Sequence, residues 1–496
     1  MNTELLKKKI LDLAIRGKLV EQRPEEGTSE DLYQQIQEEK QRIQKEGGIK
    51  KGKKLPPISS YYAQNFPSTW KVCYLDDIAF VTKLAGFEYT KYIANNLTEK
   101  GIPLFKGKNI QKGKIDFTFE SFIPESVSRS LKRSQIRKKC LLTPYVGTIG
   151  NIAIFNGEFK AHLGSNVGKI ELYNAPNHVF VFEEFVFYYL KSSLGYQELI
   201  KFKKATAQES ISIDAIRNVV IPIPPLAEQK RIVDKIDLLF SRISCIENGL
   251  LEIYRLSELT RKKILDLAIR GKLVDQIPEE GSAEDLYQQI QEEKQNLIKE
   301  GKLKKEKPLA PIEDDEIPFD IPCNWKWVRL KNICSKIVDG DHNPPKGENS
   351  ATDYLMLSAS NINQDTLIDL NKARYLSKEC YLLENERTKL EKGDILLTTV
   401  GTIGRSCIFQ GGMNICFQRS VTVISAFVFN KYLKYILDSN YVFSFMNNNA
   451  KGTAQKGFYL NQVDNLVVPI PPLAEQKRIV DKVEELLALC DKLKLK

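Results

Sequence analysis

The chain has 496 residues, of which 42% are hydrophobic and 27% charged, with a formal net charge of +10, nine cysteines and three histidines. That length suggests two or three domains with real apolar cores, and no apolar run approaches the eighteen or so residues of a membrane span. The start MNTELLKKKI has no signal-peptide core, and scattered cysteines without a CxxC pair fit a reduced cytoplasm better than a disulfide framework. His162, His178 and His342 cannot supply a zinc spacing, and a mild positive charge favours an anionic partner.

Residues 1–55 open with a helix whose face carries Leu6, Ile10 and Leu13 and which ends near Gly17. After the turn RPEEGTSEDL, Ser29 is placed to cap a second helix over 31–45, and GGIKKGKKLPP reads as a basic linker. A first globular region, 61–220, has short β-like runs (IPLFKGKNI, KIDFTF, CLLTPYVGTIGNIAIF, NVGKIELY) and the helical stretch EEFVFYYLKSSLGYQELIKF, a mixture that predicts an α+β or mixed α/β domain. Residues 60–220 hold 21 basic and 14 acidic residues, a net of +7.

The stretch 222–274 then reads as one long helix. Pro224 and Pro225 suit an extended lead-in and a first helical turn. Ile232, Ile236, Leu239, Ile243, Ile246, Leu250 and Ile253 follow at a 3.5-residue period, the mark of a coiled-coil seam. Ser257 and Thr260 interrupt the register before Ile264 and Leu267 resume it, so the seam is expected to loosen after Ile253. At 1.5 Å per residue the helix would be roughly 60–70 Å long.

Beyond it, EDLYQQIQEEKQ at 284–295 repeats 30–41, and a second globular region over 318–467 follows the plan of the first. PCNWKWVRL answers PSTWKVCYL, LLTTVGTIGRSCIF answers LLTPYVGTIGNIAIF, and GTAQKGFYLNQVDNLVVPIPP answers ATAQESISIDAIRNVVIPIPP. Residues 321–467 carry 17 basic and 13 acidic residues, a net of +4. The closing PPLAEQKRIVDKVEELLALCDKLKLK is a helix with Ile479, Val483 and Leu486 on its seam, repeating the start of the central one. The period is roughly 250 residues. The helical parts are nearly identical, which implies that both copies present the same surface to something. The globular parts share only a framework, which implies that they read different things.

Catalytic motifs do not emerge. Asp341-His342-Asn343-Pro344-Pro345-Lys346 is similar to the Asn-Pro-Pro-aromatic motif of adenine methyltransferases, but Lys replaces the aromatic residue and no donor-binding Gly-rich loop precedes it, so a turn or DNA-facing loop is the reading. GTIG at 147–150 and 401–404 fits a tight turn between strands rather than a phosphate cradle. Asp394 with Asp339 or Asp341, and Asp116 with Glu120, lack a nuclease pattern and read as solvated surface charge.

Polar, basic segments recur at matching places in both repeats, as DNA contacts would require. In the first region they are Lys106, Lys108, Asn109, Lys112 and Lys114; Ser165 and Asn166; and Lys201, Lys203, Lys204, Thr206 and Gln208. In the second they are His342 and Lys346; Ser358, Ser360 and Asn361; Arg405; Gln418, Arg419 and Ser420; and Lys451, Thr453, Gln455 and Lys456.

With these residues in place, the chain resembles the specificity subunit of type I restriction–modification enzymes. The marks are PIPPLAEQ leading into a long helix, its return after a second variable domain, and the paired GTIG and TAQ elements. The resemblance implies an α+β (mixed α/β) chain of two target-recognition domains separated by a pair of long antiparallel helices in a pseudo-twofold circular repeat. Its parts would be a conserved helical region at 1–55, recognition domains at 56–221 and 306–468, a central conserved region at 222–305, and a C-terminal helix at 469–496 pairing with the central one. It further implies a non-catalytic, cytoplasmic subunit that binds a bipartite site in double-stranded DNA and docks two methyltransferase subunits, with restriction/translocase subunits joining through the complex. S-adenosylmethionine, ATP and Mg would belong to those partners, and no cofactor to this chain. Many relatives begin directly with a recognition domain, whereas here a fragment of the distal helix comes first. Two other classes stand beside this reading: a catalytic DNA methyltransferase or nuclease, and a coiled-coil scaffold with no nucleic-acid role.

Overall fold

In the computed structural model, the residues described are 2–47, 49, 55–202, 209–305, 307–452 and 456–494. The chain divides into two compact units, 1–248 and 249–496. Both are mixtures of helices and short-stranded sheets, as the order of periodic segments predicts.

The first unit begins with the helix Thr3–Ile15, capped by Asn2 and burying Ile10, Leu11, Ala14 and Ile15. It stops at Gly17, whose φ of 66° favours glycine and where a Cβ would meet the Pro67 ring at 2.4 Å. A second helix, Ser29–Lys45, buries only Ser29 and Ile36 along its length. The strand Lys71–Tyr74 pairs antiparallel with Val220–Ile223 in a two-stranded sheet. This explains how Pro222 sits in a strand, since an edge position needs no N–H there.

Between these paired strands the globular part holds two four-stranded sheets. One runs Ala79–Lys83, Val167–Leu172, Cys140–Pro144, Ala153–Phe155 with antiparallel neighbours. The other runs Phe122–Ile123, Ile102–Phe105, Ala161–Leu163, Gln135–Ile136 and includes a parallel pair. Phe105, Phe155, Leu142 and Leu163, all fully buried, fill the space that the sheets enclose.

The second unit repeats the plan. Lys326–Arg329 pairs with Val467–Ile470, and one sheet runs Cys334–Asp339, Val421–Ala426, Ile395–Thr398, Ser406–Ile408. A three-stranded sheet places Tyr354–Leu357 between Arg374–Tyr375 and Asn414–Phe417, again with one parallel pair.

The central helix spans Leu226–Ile269, 44 residues without a break, or about 66 Å. In the first unit the helix Thr3–Ile15 runs antiparallel to its opening half, with Lys7 bonded to Glu247 at 3.0 Å and Arg231 to Glu26. In the second, the helix Leu473–Lys494 runs antiparallel to its closing half, with Arg261 bonded to Asp491 and Arg478 to Glu280.

The seam departs from its expected course. Ile232, Ile236 and Ile243 are buried, but Ile246, Leu250 and Ile253 are 47%, 40% and 43% exposed. The expected loosening after Ile253 is met only in part: Thr260 is exposed, but Ser257 is 2% exposed and its hydroxyl donates to the Cys490 carbonyl at 3.3 Å. A serine suits that buried position because its hydroxyl is satisfied by a carbonyl of the neighbouring helix. Opening of the seam comes earlier, across 244–256.

The shared PIPPLAEQKR motif is largely accounted for from inside. Glu228 is 2% exposed and accepts from the Trp70 indole at 2.9 Å and from the Gln22 amide. Glu475 does the same for Trp325 at 3.1 Å and for Gln276. Burial pushes both carboxyls above their usual range despite these donors. Gln229 accepts the Phe182 N–H and donates to the Pro224 carbonyl, and Gln476 repeats this with Phe429 and Pro471. The motif bolts helix to domain twice over.

Candidate nucleic-acid interface

Three turns converge in each unit, joined by the residue that follows the TAQ segment, and backbone hydrogen bonds hold them in register. In the first, the Gly164 N–H donates to Phe105 at 2.8 Å, joining the turn that carries Lys106 to the one that carries Ser165 and Asn166. Tyr145 N–H donates to the Asn166 carbonyl at 3.1 Å, which adds the GTIG turn. Gly147 N–H reaches the carbonyl of Glu209, the first described residue after TAQ, at 3.0 Å.

The second unit has the same stitching. Gln418 N–H donates to Leu357 at 2.9 Å, Ala359 N–H to the Ser420 hydroxyl at 3.0 Å, Thr399 N–H to the Ser420 carbonyl, and Gly401 N–H to the Lys456 carbonyl at 3.2 Å. Asp341 is added by a pair of backbone bonds, its N–H to Phe417 and its carbonyl from Arg419, both at 2.8 Å. The Asp-His-Asn-Pro-Pro loop thereby joins the face.

Several predicted residues are exposed on this surface. Lys112, Lys114, Asn166, Lys346, Ser360, Arg419, Lys451 and Lys456 are exposed. Lys112 and Lys114 lie on the hairpin Ile110–Gln111 with Lys114–Ile115, whose tip at Gly113 rests against Phe187 and Lys191. Ser165, Gln418 and Ser420 are half-buried, and Ser358 shares a hydrogen bond of 2.8 Å with Ser360. Lys106 donates to Ser121 at 2.7 Å, which aims its ammonium without neutralising it. Lys201 ends its helix beside Glu198 at 3.8 Å, and Arg405 is exposed with one guanidinium N–H towards Ile362.

Others are engaged. Lys108 is ion-paired with Glu120, which lowers its value as a phosphate contact. Asn109 and Asn361 correct the sequence reading. They are 2% and 5% exposed, and each spends its amide inside its own turn. Asn109 donates to the Asp116 and Thr118 carbonyls, and Asn361 to Ile368 and Asp369. These asparagines shape the turn and have no donor left for a base edge. Lys203, Lys204, Thr206, Gln208, Thr453 and Gln455 lie outside the described residues.

His342 is exposed and its Nε2 meets Asp339 at 2.7 Å, while Arg387 holds the other carboxylate oxygen at 2.6 Å. Burial works against the Asp339 charge, but the hydrogen bonds from Arg387 and His342 outweigh it and lower its pKa. Asp394 is a second correction. It is 4% exposed rather than solvated, and it accepts from Lys336 at 2.8 Å and from Ser425. Asp116 caps the Thr118 N–H at 2.9 Å.

Two cations beside the face escaped the sequence reading. Lys83 lies over the Tyr145 ring at 4.5 Å, in register with Gly168, and Arg387 projects from the helix Lys378–Thr388. Neither sits in a repeated motif; sheet register discloses Lys83, and the bonds to Asp339 disclose Arg387.

A doubled domain with this interface is a defined class. The chain belongs to the family of the type I restriction modification DNA specificity domain, whose model matches residues 67–254 and 322–495. It is 25% identical to the type I restriction enzyme EcoEI specificity subunit of Escherichia coli over 99% of this chain and 90% of that one, and 26% identical to the EcoAI specificity subunit over the same shares. Its fold resembles a chain of a type I R-M system (TM-score 0.58, 17% identity, covering 86% of this chain and 92% of that one). It also resembles the HsdS subunit from Thermoanaerobacter tengcongensis (TM-score 0.50, 17% identity, covering 86% and 91%). Among the described residues no helix is long and apolar enough to cross a membrane.

Proposed function

We propose that this chain is the sequence-specific, non-catalytic DNA-binding subunit of a type I restriction–modification complex, working in the cytoplasm, with each unit reading one half of a bipartite target. The observation that carries this reading is the face of stitched turns, built twice with the same backbone hydrogen bonds and different side chains. A backbone frame fixes where side chains meet a groove, and changing those side chains changes the bases accepted. Conserved stitching with varied residues is the arrangement expected of two readers of different half-sites.

The helices take the remaining roles. The unbroken central helix sets the gap between half-sites, as rigid spacers do for dimeric DNA-binding proteins. Two matched helical surfaces dock two methyltransferase subunits. S-adenosylmethionine, ATP and Mg are supplied on the partners, and restriction/translocase subunits join through them.

The test is a domain exchange. Replacing residues 61–220 with the corresponding region of a relative and mapping modified sites genome-wide should change one half of the recognised sequence. The other half and the gap should stay the same. If both halves change together, two separate readers are ruled out.

A further inference from the structure

The helix Ser29–Lys45 and its counterpart Ala283–Lys299 share the run EDLYQQIQEEKQ without a single difference, at 30–41 and 284–295. Part of that identity has an internal cause. Leu32, Tyr33 and Ile36 pack on the first unit's core, and Leu286, Tyr287 and Ile290 on the second's. Gln37 and Lys40 donate to the carbonyls of Asp77 and Asp76, while Gln291 and Lys294 donate to those of Asn332 and Lys331. Glu30 pairs with Lys71 and Glu284 with Lys326.

Subtracting these leaves six positions; setting aside Glu39, which Arg42 holds, and its counterpart Glu293, the remaining five are Asp31, Gln34, Gln35, Glu38 and Gln41, matched by Asp285, Gln288, Gln289, Glu292 and Gln295. All ten are exposed. Their spacing, i, i+3, i+4, i+7 and i+10, lines up one stripe along each helix. Among these ten, only Gln34 to Glu30 and the Asp285 cap on Ser282 give a side-chain hydrogen bond, both local to the helix. Exposed positions ordinarily tolerate change within a few tenths of a kcal/mol, and the globular parts of the two units have diverged freely. Folding therefore does not explain why both stripes are the same.

In the first unit the stripe borders an open recess lined by Gln35, Glu38, Glu39, Arg42, His178 and Phe180. Glu39 is already held by Arg42 at 2.7 Å, so Glu38 is the uncommitted charge at its rim. An aromatic ring and an uncommitted carboxylate in one recess suit the stem and head of a lysine or arginine.

We propose that the two stripes are a duplicated docking face for two copies of one protein partner that presents cationic, donor-rich side chains. This rests on the reading that the chain assembles with two modification subunits, and it places part of that docking on the short helices rather than on the long one. Glutamines accept and donate, and Asp31 with Glu38 supplies a sign that repels DNA and attracts basic side chains.

The test uses the full chain co-purified with its modification subunits and counted by native mass spectrometry. Gln34→Lys with Glu38→Lys should weaken one of the two copies by about tenfold or more, leaving a complex with one copy where the wild type holds two. Gln288→Lys with Glu292→Lys should do likewise, and all four changes should remove both. The milder pair Gln34→Ala with Glu38→Ala, which keeps helix propensity, should give a smaller loss in the same direction with an unchanged unfolding midpoint. Two copies retained at undiminished affinity by the fourfold variant would overturn the stripe while leaving the partner-bearing reading intact. A wild-type chain that takes up no modification subunit would overturn both. Loss of self-association by the variants, with two partner copies still bound, would assign the stripe to a second copy of this chain and overturn the proposal.

Discussion

The two units hold the same hairpin in place with opposite chemistry. In the first, the tip Gly113 rests against Phe187 and Lys191, and Lys191 lies 5.5 Å from the centre of the Phe187 ring. In the second, the matching tip is Asp365, which accepts from Lys434, and Lys434 also bonds Asp438 at 2.5 Å. Ser406 donates to the same Asp438 at 2.6 Å. Lys434 and Asp438 have side chains 7% and 3% exposed. Burial works against the Lys434 ammonium, but Asp438 and Asp365 outweigh it and hold its pKa above the usual lysine value. A glycine, an aromatic ring and a lysine on one side thus correspond to an ion triad on the other. The lesson is that a recognition frame tolerates complete replacement of its inner polar contacts, provided each set is self-satisfied.

Breaking the triad should give the largest effect. Lys434→Met leaves Asp438 buried without its cation and should cost the second unit about 3–5 kcal/mol. Lys191→Met in the first unit removes a weak ring contact and should cost about 1 kcal/mol or less. Hydrogen exchange of Ile395–Thr398 and Val421–Ala426 against Cys140–Pro144 and Val167–Leu172 reads the two separately. Installing the first unit's set through Lys434→Phe, Asp438→Lys and Asp365→Gly should recover much of the loss. Equal costs for the two lysine changes would show that the tethers are not different in kind.

Where the units agree, effects should agree too. Glu228→Gln and Glu475→Gln each weaken a buried carboxylate's bonds to a tryptophan and a glutamine, and each should cost about 1–3 kcal/mol. Local unfolding measured at Trp70 and at Trp325 would report them. A large inequality would mean that the shared motif serves different ends in its two settings.

The pattern of residues disclosed the repeat, the helix–strand order, the antiparallel partners of the central helix and the turns that carry GTIG. These are statements about periodicity and recurrence, which one sequence contains. Burial is another matter. Asn109 and Asn361 look like any loop asparagine until the hairpin carbonyls close around them. Asp394 looks solvated until Lys336 is found beside it. The seam differs from its period for a related reason: a 3.5-residue period shows which residues share a face, not how far a partner helix covers that face. Exposed Ile246, Leu250 and Ile253 keep the pattern without the packing.

DNA binding offers a gentler comparison of the two faces. Lys106→Ala with Lys112→Ala in the first unit, and Arg419→Ala with Lys456→Ala in the second, each remove two exposed or half-exposed cations. If each cation meets a phosphate, either pair should lower the slope of log K against log salt by about 1–2. Titration by fluorescence anisotropy between low and moderate salt would measure it. A slope that falls for only one pair would confine phosphate contact to one unit.

The smallest difference lies at one strand position. His162 is fully buried in the parallel pair with Leu104, where the second unit has Cys416 paired with Met356. Its Nδ1 meets the Leu163 carbonyl at 2.8 Å, while Nε2 has no hydrogen-bond partner. Burial lowers its pKa, so the folded unit keeps this ring neutral where the unfolded chain would protonate it. The unfolded state then binds more protons as pH falls below the ordinary histidine value of about 6.5, and stability drains away through that window down to the depressed folded value. Above the window the ring contributes no pH dependence. The first unit should therefore lose stability between pH 7 and pH 5 beyond any loss shared with the second. His162→Cys, which copies the second unit, should flatten that difference. An unchanged pH profile in the variant would move the acid sensitivity to carboxylates common to both units and leave His162 as a neutral packing residue.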